Sequence, residues 1–368
     1  MASGAFAAGA AVITAATGAA LAVAAGLDGA LALAAFSGIG MFGAMMDFVA
    51  GVASTAIIVC LMWLLRRGAP AGAAATSTSP CCRPVWHYVG GLCGATYVAC
   101  AVLGSPLGGF SVLFAAAVAG QLVAGAVLDH LCGIGGERSR VDCWKVCALS
   151  VTVAGAVLSA VGALISGGGA SAGGTALGAC LGLIGGVAIA VQTTANTRLA
   201  ARMGSSVLAS LVSLSIGAVA TFLVCVVVTL TMPRGPGPTL EGLTPSAAPW
   251  WMWIGGLGST MAVIAGAELP PFIGVSGFSV ALVAGQLAMS LILDATGTLG
   301  GAGAVGGLRV VGVVLVFLGA TAAQFANPFG SGSSAHKVSA PPSPTAGPGV
   351  VLAKAEDENH DPAPVASP

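Results

Sequence analysis

The sequence predicts an all-α integral membrane protein, with ten transmembrane helices arranged as two inverted five-helix repeats. Three observations lead there. Hydrophobic residues make up 57% of the 368 and charged residues only 7%, whereas soluble domains carry roughly a quarter charged residues. Residues 84–128, 146–197, 203–233 and 269–293 contain no formal charge, and 310–353 contains only Lys337. Each of these windows exceeds the ~20 residues a bilayer-spanning helix needs, and they are apolar all round rather than alternating as membrane barrel strands do. The third observation is an internal repeat. Trp86, Gly90, Gly91, Leu92, Gly109, Ser111, Gly120, Gln121, Leu122, Leu128 and Asp129 recur as Trp251, Gly255, Gly256, Leu257, Gly274, Ser276, Gly285, Gln286, Leu287, Leu293 and Asp294 at one offset (251 − 86 = 294 − 129 = 165). The chain is a fused duplication.

Turn signals and charges divide the apolar windows into five spans per half. The first half gives spans at 5–26, 39–65, 87–104, 108–131 and 143–165. The second gives 175–196, 205–231, 250–268, 274–297 and 307–327. Residues 1–165 are thus the first repeat and 175–327 the second. The Gly/Ser-rich stretch 166–174 reads as a flexible linker and 68–80 as a loop. The Pro-, Ser- and Gly-rich tail 328–368, with its acids Glu356, Asp357 and Glu358, has nothing to bury and reads as disordered. Met1-Ala2-Ser3-Gly4 leads straight into apolar sequence with no basic region before it, which argues against a cleaved signal peptide.

Five spans per repeat is an odd number, so the second repeat starts on the opposite face of the membrane from the first. The halves are then related by a pseudo-two-fold axis in the membrane plane, an arrangement common in secondary transporters. The basic residues check this topology. The side holding the N-terminus carries Arg66, Arg67, Arg83, Arg138, Arg140, Lys145, Arg198, Arg202, Lys337 and Lys354, and the other side carries Arg234 and Arg309. Ten against two makes the first side, with both termini, cytoplasmic. All six Trp fall near span ends, where interfacial anchoring accounts for them.

Spans four and nine carry the repeated polar pattern Gln121, Gly125, Asp129 and Gln286, Ser290, Asp294. At i, i+4, i+8 each trio forms one stripe, with the Gln near mid-membrane and the Asp near the exit interface. Two readings of the Gln stay open: lining a solute cavity, or bonding between helices at about 0.6–2 kcal/mol each. For Asp129 and Asp294 the choice lies between anchoring a helix end and acting as coupling or gating acids. Span six adds Gln192 and Asn196 on one face, then Arg198. The matching first-half positions, Gly26 and Ala30, lack this motif. The same helix opens with Gly178, Gly182 and Gly186, a ladder that permits close helix contact. Asp47 is the acid inside span two. It lies nineteen residues before Arg66 (66 − 47 = 19) and so belongs in the outer third, either in a wet vestibule or as a proton-coupling group.

Enzyme signatures are missing. Gly169-Ala-Ser171-Ala-Gly173 matches a nucleophile-elbow string but lies in the linker rather than between strand and helix. There is no His-Glu-x-x-His and no phosphate-cradling Gly-Lys-Ser/Thr. Neither a cofactor nor a metal is called for, and a net charge of zero gives no pointer to nucleic acid.

The second half resembles the YdcZ-type inner-membrane exporter family of the drug/metabolite transporter superfamily, whose fold is EamA-like. The residues that carry the resemblance are Gln192-Thr-Thr-Ala-Asn196-Thr-Arg198-Leu199, Ser213-Leu-Ser-Ile-Gly217, Trp250-Trp251-x-Trp253-x-Gly255-Gly256, Ala284-Gly285-Gln286 and Leu293-Asp294. The first half repeats the later part as Trp86, Gly90-Gly91, Ala119-Gly120-Gln121 and Leu128-Asp129-His130, with Asp47 where the serine of Ser-x-x-x-Gly stands. The resemblance covers residues 5–327. It implies ten spans, a solute cavity between the halves, alternating access and a homodimer. The expected function is export of small uncharged or zwitterionic metabolites or drugs through a cavity lined by Gln121, Gln192, Asn196 and Gln286. Asp47, Asp129 and Asp294 are the candidate coupling or gating acids. The partners expected are a small-molecule solute and the lipid bilayer. The competing expectation is a non-transporting membrane scaffold or partner subunit, in which the same polar groups serve only packing.

Overall fold

The computed structural model describes residues 2–36, 39–65, 85–132, 143–166, 171–231, 247–300 and 305–324, all helical apart from short turns. Ten α-helices follow in order: α1 (Ala2–Ala35), α2 (Gly40–Leu65), α3 (Val89–Gly108), α4 (Phe110–Cys132) and α5 (Cys143–Ile165), then α6 (Ala172–Met203), α7 (Ser206–Thr231), α8 (Gly256–Glu268), α9 (Pro270–Thr296) and α10 (Gly307–Gln324). Short 3₁₀ turns at Val85–Tyr88 and Trp250–Ile254 lead into α3 and α8. The predicted loop 68–80 and the tail 328–368 lie outside the described residues.

Each predicted span is matched by a helix, with three corrections. The first span does not stop at residue 26; α1 runs nine residues further, to Ala35. Gly26 and Gly29 disfavour helix intrinsically, yet Gly26 is wedged against Leu299 and Phe110, so tertiary packing holds the helix through it. The linker 166–174 is in part helical, because Ser171 caps α6 by accepting the N–H of Gly174 at 3.0 Å. The serine of the nucleophile-like string is therefore a helix cap. The eighth span is divided into the 3₁₀ turn Trp250–Ile254 and the 13-residue α8.

Eight of the described helices are long and apolar enough to cross a membrane, and α10 adds a shorter apolar stretch at Gly307–Ala323. The protein is a multi-pass integral membrane protein. Helices α3 and α4 form its centre, with 61% of their apolar windows buried, whereas α2 and α7, at 28%, present residues such as Ile57, Leu61, Phe222 and Leu230 outward.

Contacts between helix ends fix the directions. At one end, named for Phe110, Gly26 of α1 meets Phe110 of α4. There Gly174 of α6 lies beside the carbonyl of Leu107, and Gly162 of α5 lies against the backbone of Arg309 in α10. At the opposite end Trp144 of α5 donates to the Ala322 carbonyl of α10 at 3.0 Å, and the Ser206 hydroxyl of α7 donates to the Glu268 carboxylate of α8.

The first helix of each half packs into the other half. The glycine ladder Gly178, Gly182, Gly186 of α6 seats on Gly104 and Gly108 of α3, then on Leu113 and Ala117 of α4. The counterpart seam joins α1 to α9, with Gly18 against Leu282 and Gly285 against Ala15. Lipid tails are as apolar as leucine, so close contact through small residues is what holds such helices together. The two repeats consequently share one core, built from Leu21, Phe48, Tyr97, Phe114, Leu287 and Val316 among others.

Candidate functional site

Gln192 and Asn196 lie one turn apart on α6 and face two glycines one turn apart on α3. A Cβ on Gly94 would lie 2.7 Å from Gln192 Nε2, and one on Gly90 would meet Asn196 Oδ1. The amides thus occupy the space that side chains on α3 would otherwise fill. Asn196 Oδ1 is buried without a hydrogen-bond partner, as is the hydroxyl of Ser213 on α7, whose carbonyl meets Gly91.

Carrying these contacts forward by the repeat offset leads to a second site of different chemistry. Gly255 and Gly256 are the mates of Gly90 and Gly91 (90 + 165, 91 + 165). A Cβ on Gly255 would lie 2.5 Å from Asp28 Oδ1 of α1, and one on Gly256 would meet the carbonyl of Asp47 on α2. Asp28 therefore plays on α1 the part that Asn196 plays on α6, and Asp47 that of Ser213. Ser259, the mate of Gly94, donates its hydroxyl to Asp47 Oδ1 at 2.9 Å. The two carboxyl groups, 2% and 1% exposed, are brought together at the start of α8, where consecutive glycines meet Asp28 and Asp47, while Asp47 Oδ2 has no hydrogen-bond partner. Asp28 is seven residues before the end of α1 and Asp47 seven after the start of α2, so both sit about 10 Å from those helix ends.

This overturns the wet-vestibule expectation for Asp47, which is enclosed between α1 and α8. Asp28 escaped the sequence reading because the first span was ended at residue 26. The apolar run from Leu31 to Phe36 was the available signal that the helix continues past it.

Asp294 has a different setting. Its Oδ1 accepts the N–H of Phe110 at 2.8 Å and its Oδ2 the N–H of Ser111 at 2.7 Å, so a residue of α9 caps the start of α4. Arg309 of α10 donates to Asp294 Oδ2 at 2.7 Å, to the Gly108 carbonyl at 3.0 Å and to the Ser111 hydroxyl. The pair is 0% and 1% exposed. Gly109, the single residue between α3 and α4, has φ +85°, and a Cβ there would stand 2.8 Å from Asp294 Oδ1. Only glycine suits that backbone and that space. Arg309, expected at the outer face where the tenth span begins, is buried near the start of α10.

The four predicted cavity amides fall on three seams. Gln192 and Asn196 line α3–α6. Gln121 is half-buried on α4, where its backbone touches Gly186 of α6. Gln286 is 3% exposed on α9, with its backbone 3.1 Å from the space beside Gly18 of α1. Beside Gln121 an apolar groove of about 350 Å³ runs between α4, α5 and α6, bounded by Gly120, Val123, Val153, Leu183 and Val187. Asp129 lies in the last turn of α4, and its side chain lies outside the described set. Among the described residues, then, one acid is fixed by a cation, two acids meet consecutive glycines at the start of α8, and two amides cross a glycine seam. Such a constellation can bind polar uncharged groups and hold protons.

Comparison with known proteins agrees with the architecture. A solved crystal structure superposes with a TM-score of 0.51 over 87% of this chain and 96% of that one, at 19% identity, a likeness of fold. No curated protein matches. The family model described as "Putative inner membrane exporter, YdcZ" matches residues 9–158 and again 177–322. With both halves matched, the chain belongs to this YdcZ family of inner-membrane exporters within the drug/metabolite transporter group.

Proposed function

We propose that the protein is a secondary exporter of small uncharged or zwitterionic metabolites or drugs. It works by alternating access between two inverted five-helix repeats that together make ten membrane spans, with both termini cytoplasmic. The observation that carries this reading is a set of buried polar atoms without protein partners: Asn196 Oδ1, Ser213 Oγ, the Tyr97 hydroxyl and Asp47 Oδ2. Each lies at a contact between helices of different repeats, where α3 meets α6 and α7, and where α2 meets α8. An unsatisfied buried polar group costs about 1–3 kcal/mol. Polar groups kept inside a membrane bundle mark solute and ion pathways.

Amides rather than fixed charges along the α3–α6 seam favour solutes without net charge. The orientation is supported by the basic residues: with Arg309 buried, Arg234 is the one base left on the outer side against ten on the cytoplasmic side. The apolar groove beside Gln121 supports lateral access for amphipathic solutes.

Flux of candidate metabolites from liposomes tests the reading. Gln192→Ala/Asn196→Ala is expected to lower flux about tenfold, equivalent to roughly 1.4 kcal/mol of lost solute contact. Unchanged flux in a folded Gln121→Ala/Gln286→Ala variant removes those two residues from the route. The seating of Gln192 on Gly94 and Asn196 on Gly90 favours the second reading, a membrane scaffold in which the amides only pack. In that case the same variants lose thermal stability and no solute alters their melting.

A further inference from the structure

We propose that Asp28 and Asp47 hold one exchangeable proton between them, making a proton-binding site at the junction of α1, α2 and α8. The proton sits on one carboxyl and is donated to the other; when it leaves, two carboxylates remain side by side in the membrane interior. Asp28 stands beside Gly255 and Asp47 beside Gly256 and Ser259, and two carboxyl groups so placed can bond to each other only if one of them carries a proton. Like charges in a shared buried site disfavour double ionisation.

A second observation points into the same place. Asp47 Oδ2 is buried without a donor, although Ser259 satisfies Oδ1. The Tyr97 hydroxyl of α3 is likewise buried without a partner. Among the described residues on the helices packed around the site, no cation forms an ion pair with either acid. Cys225 of α7 donates its thiol to the Met41 carbonyl at 3.3 Å, and on α9 Asp294 is engaged by Arg309. A depth of about 10 Å from the ends of α1 and α2 places proton exchange on the Phe110 side of the bundle. The amide site across the repeat axis has no acid at the matching positions, so this capacity belongs to one half only.

The inference rests on the membrane placement and not on transport; the exporter reading fails on flux, and this one on proton binding. Infrared spectra of the full chain in lipid nanodiscs, recorded from mildly acidic to alkaline pH, report it through the protonated-carboxyl C=O stretch. The wild type should show the band at neutral pH and lose it on alkalinisation, and Asp28→Asn/Asp47→Asn should lack it. Each single Asn variant should keep a band whose titration is displaced from wild type, because the neighbouring acid is gone. Those single variants carry the test even where the double variant does not fold. A wild-type titration in either single variant overturns the proposal, as does a band that survives in the double. So does a band removed by sodium at constant pH, which would make the site a metal-cation site.

Discussion

Two clusters of buried aspartates stand at the same end of this bundle, and their surroundings give them opposite properties. Asp294 receives two backbone N–H bonds from the start of α4 and an ion pair from Arg309, so its charge is balanced and its position fixed. Asp28 and Asp47 stand together at the start of α8 and, among the described residues, receive one serine hydroxyl. The first arrangement ties α9, α10 and α4 together. The second is the acid pair proposed to hold a proton. Burial and residue type are the same in both, so it is the presence or absence of a cation that separates a structural acid from one able to do chemistry.

Breaking the balanced cluster should produce the largest effect. Arg309→Met leaves Asp294 buried without its cation and is expected to destabilise the fold by about 3–5 kcal/mol, read as a fall in thermal unfolding temperature in detergent. Adding Asp294→Leu should recover much of that loss, because removing both partners also removes the stranded charge. A fall no larger than that of an ordinary surface substitution would show that the pair does not anchor the helices.

The next effect sharpens the contrast from the other side. Gly255→Ala puts a methyl 2.5 Å from Asp28 Oδ1 and should cost about 1–3 kcal/mol through overpacking. It should also push Asp28 away from Asp47 and displace the titration of the infrared carboxyl band. Unfolding temperatures and the band position check the two halves of that statement separately. Ser259→Ala is the mildest change, removing the donor to Asp47 Oδ1 at about 0.5–1.5 kcal/mol. If its melting temperature stays level across pH while that of the wild type varies, Ser259 is tied to the proton on the pair.

Much of this was legible in the residues themselves. The repeat marked Gln121, Gln286, Asp129 and Asp294, and the lone interior acid marked Asp47. The split between Asp294 and Asp47 was not legible, because the partners that decide it are far away in the chain. Ser259 reaches Asp47 across 212 residues, and the backbone of Phe110 reaches Asp294 across 184. Arg309 read as an outer-face base because it stands at the start of the tenth span, just after a glycine-rich stretch. Asp28 drew no reading because the first predicted span ended at residue 26. In both cases packing against a distant element overrode the local signal.

What the sequence determined by itself was the solvent the protein lives in, the helical form of its spans and the duplication. These follow from composition and period, and in lipid a backbone must satisfy its own hydrogen bonds. Tertiary structure alone decided that α1 and α6 each pack into the other half, that Gly90 and Gly255 open equivalent niches, and that an amide fills one while an acid fills the other. The reason is physical: between membrane helices the packing of small residues chooses the neighbours, and the charge of a buried acid is set by whichever neighbour is chosen.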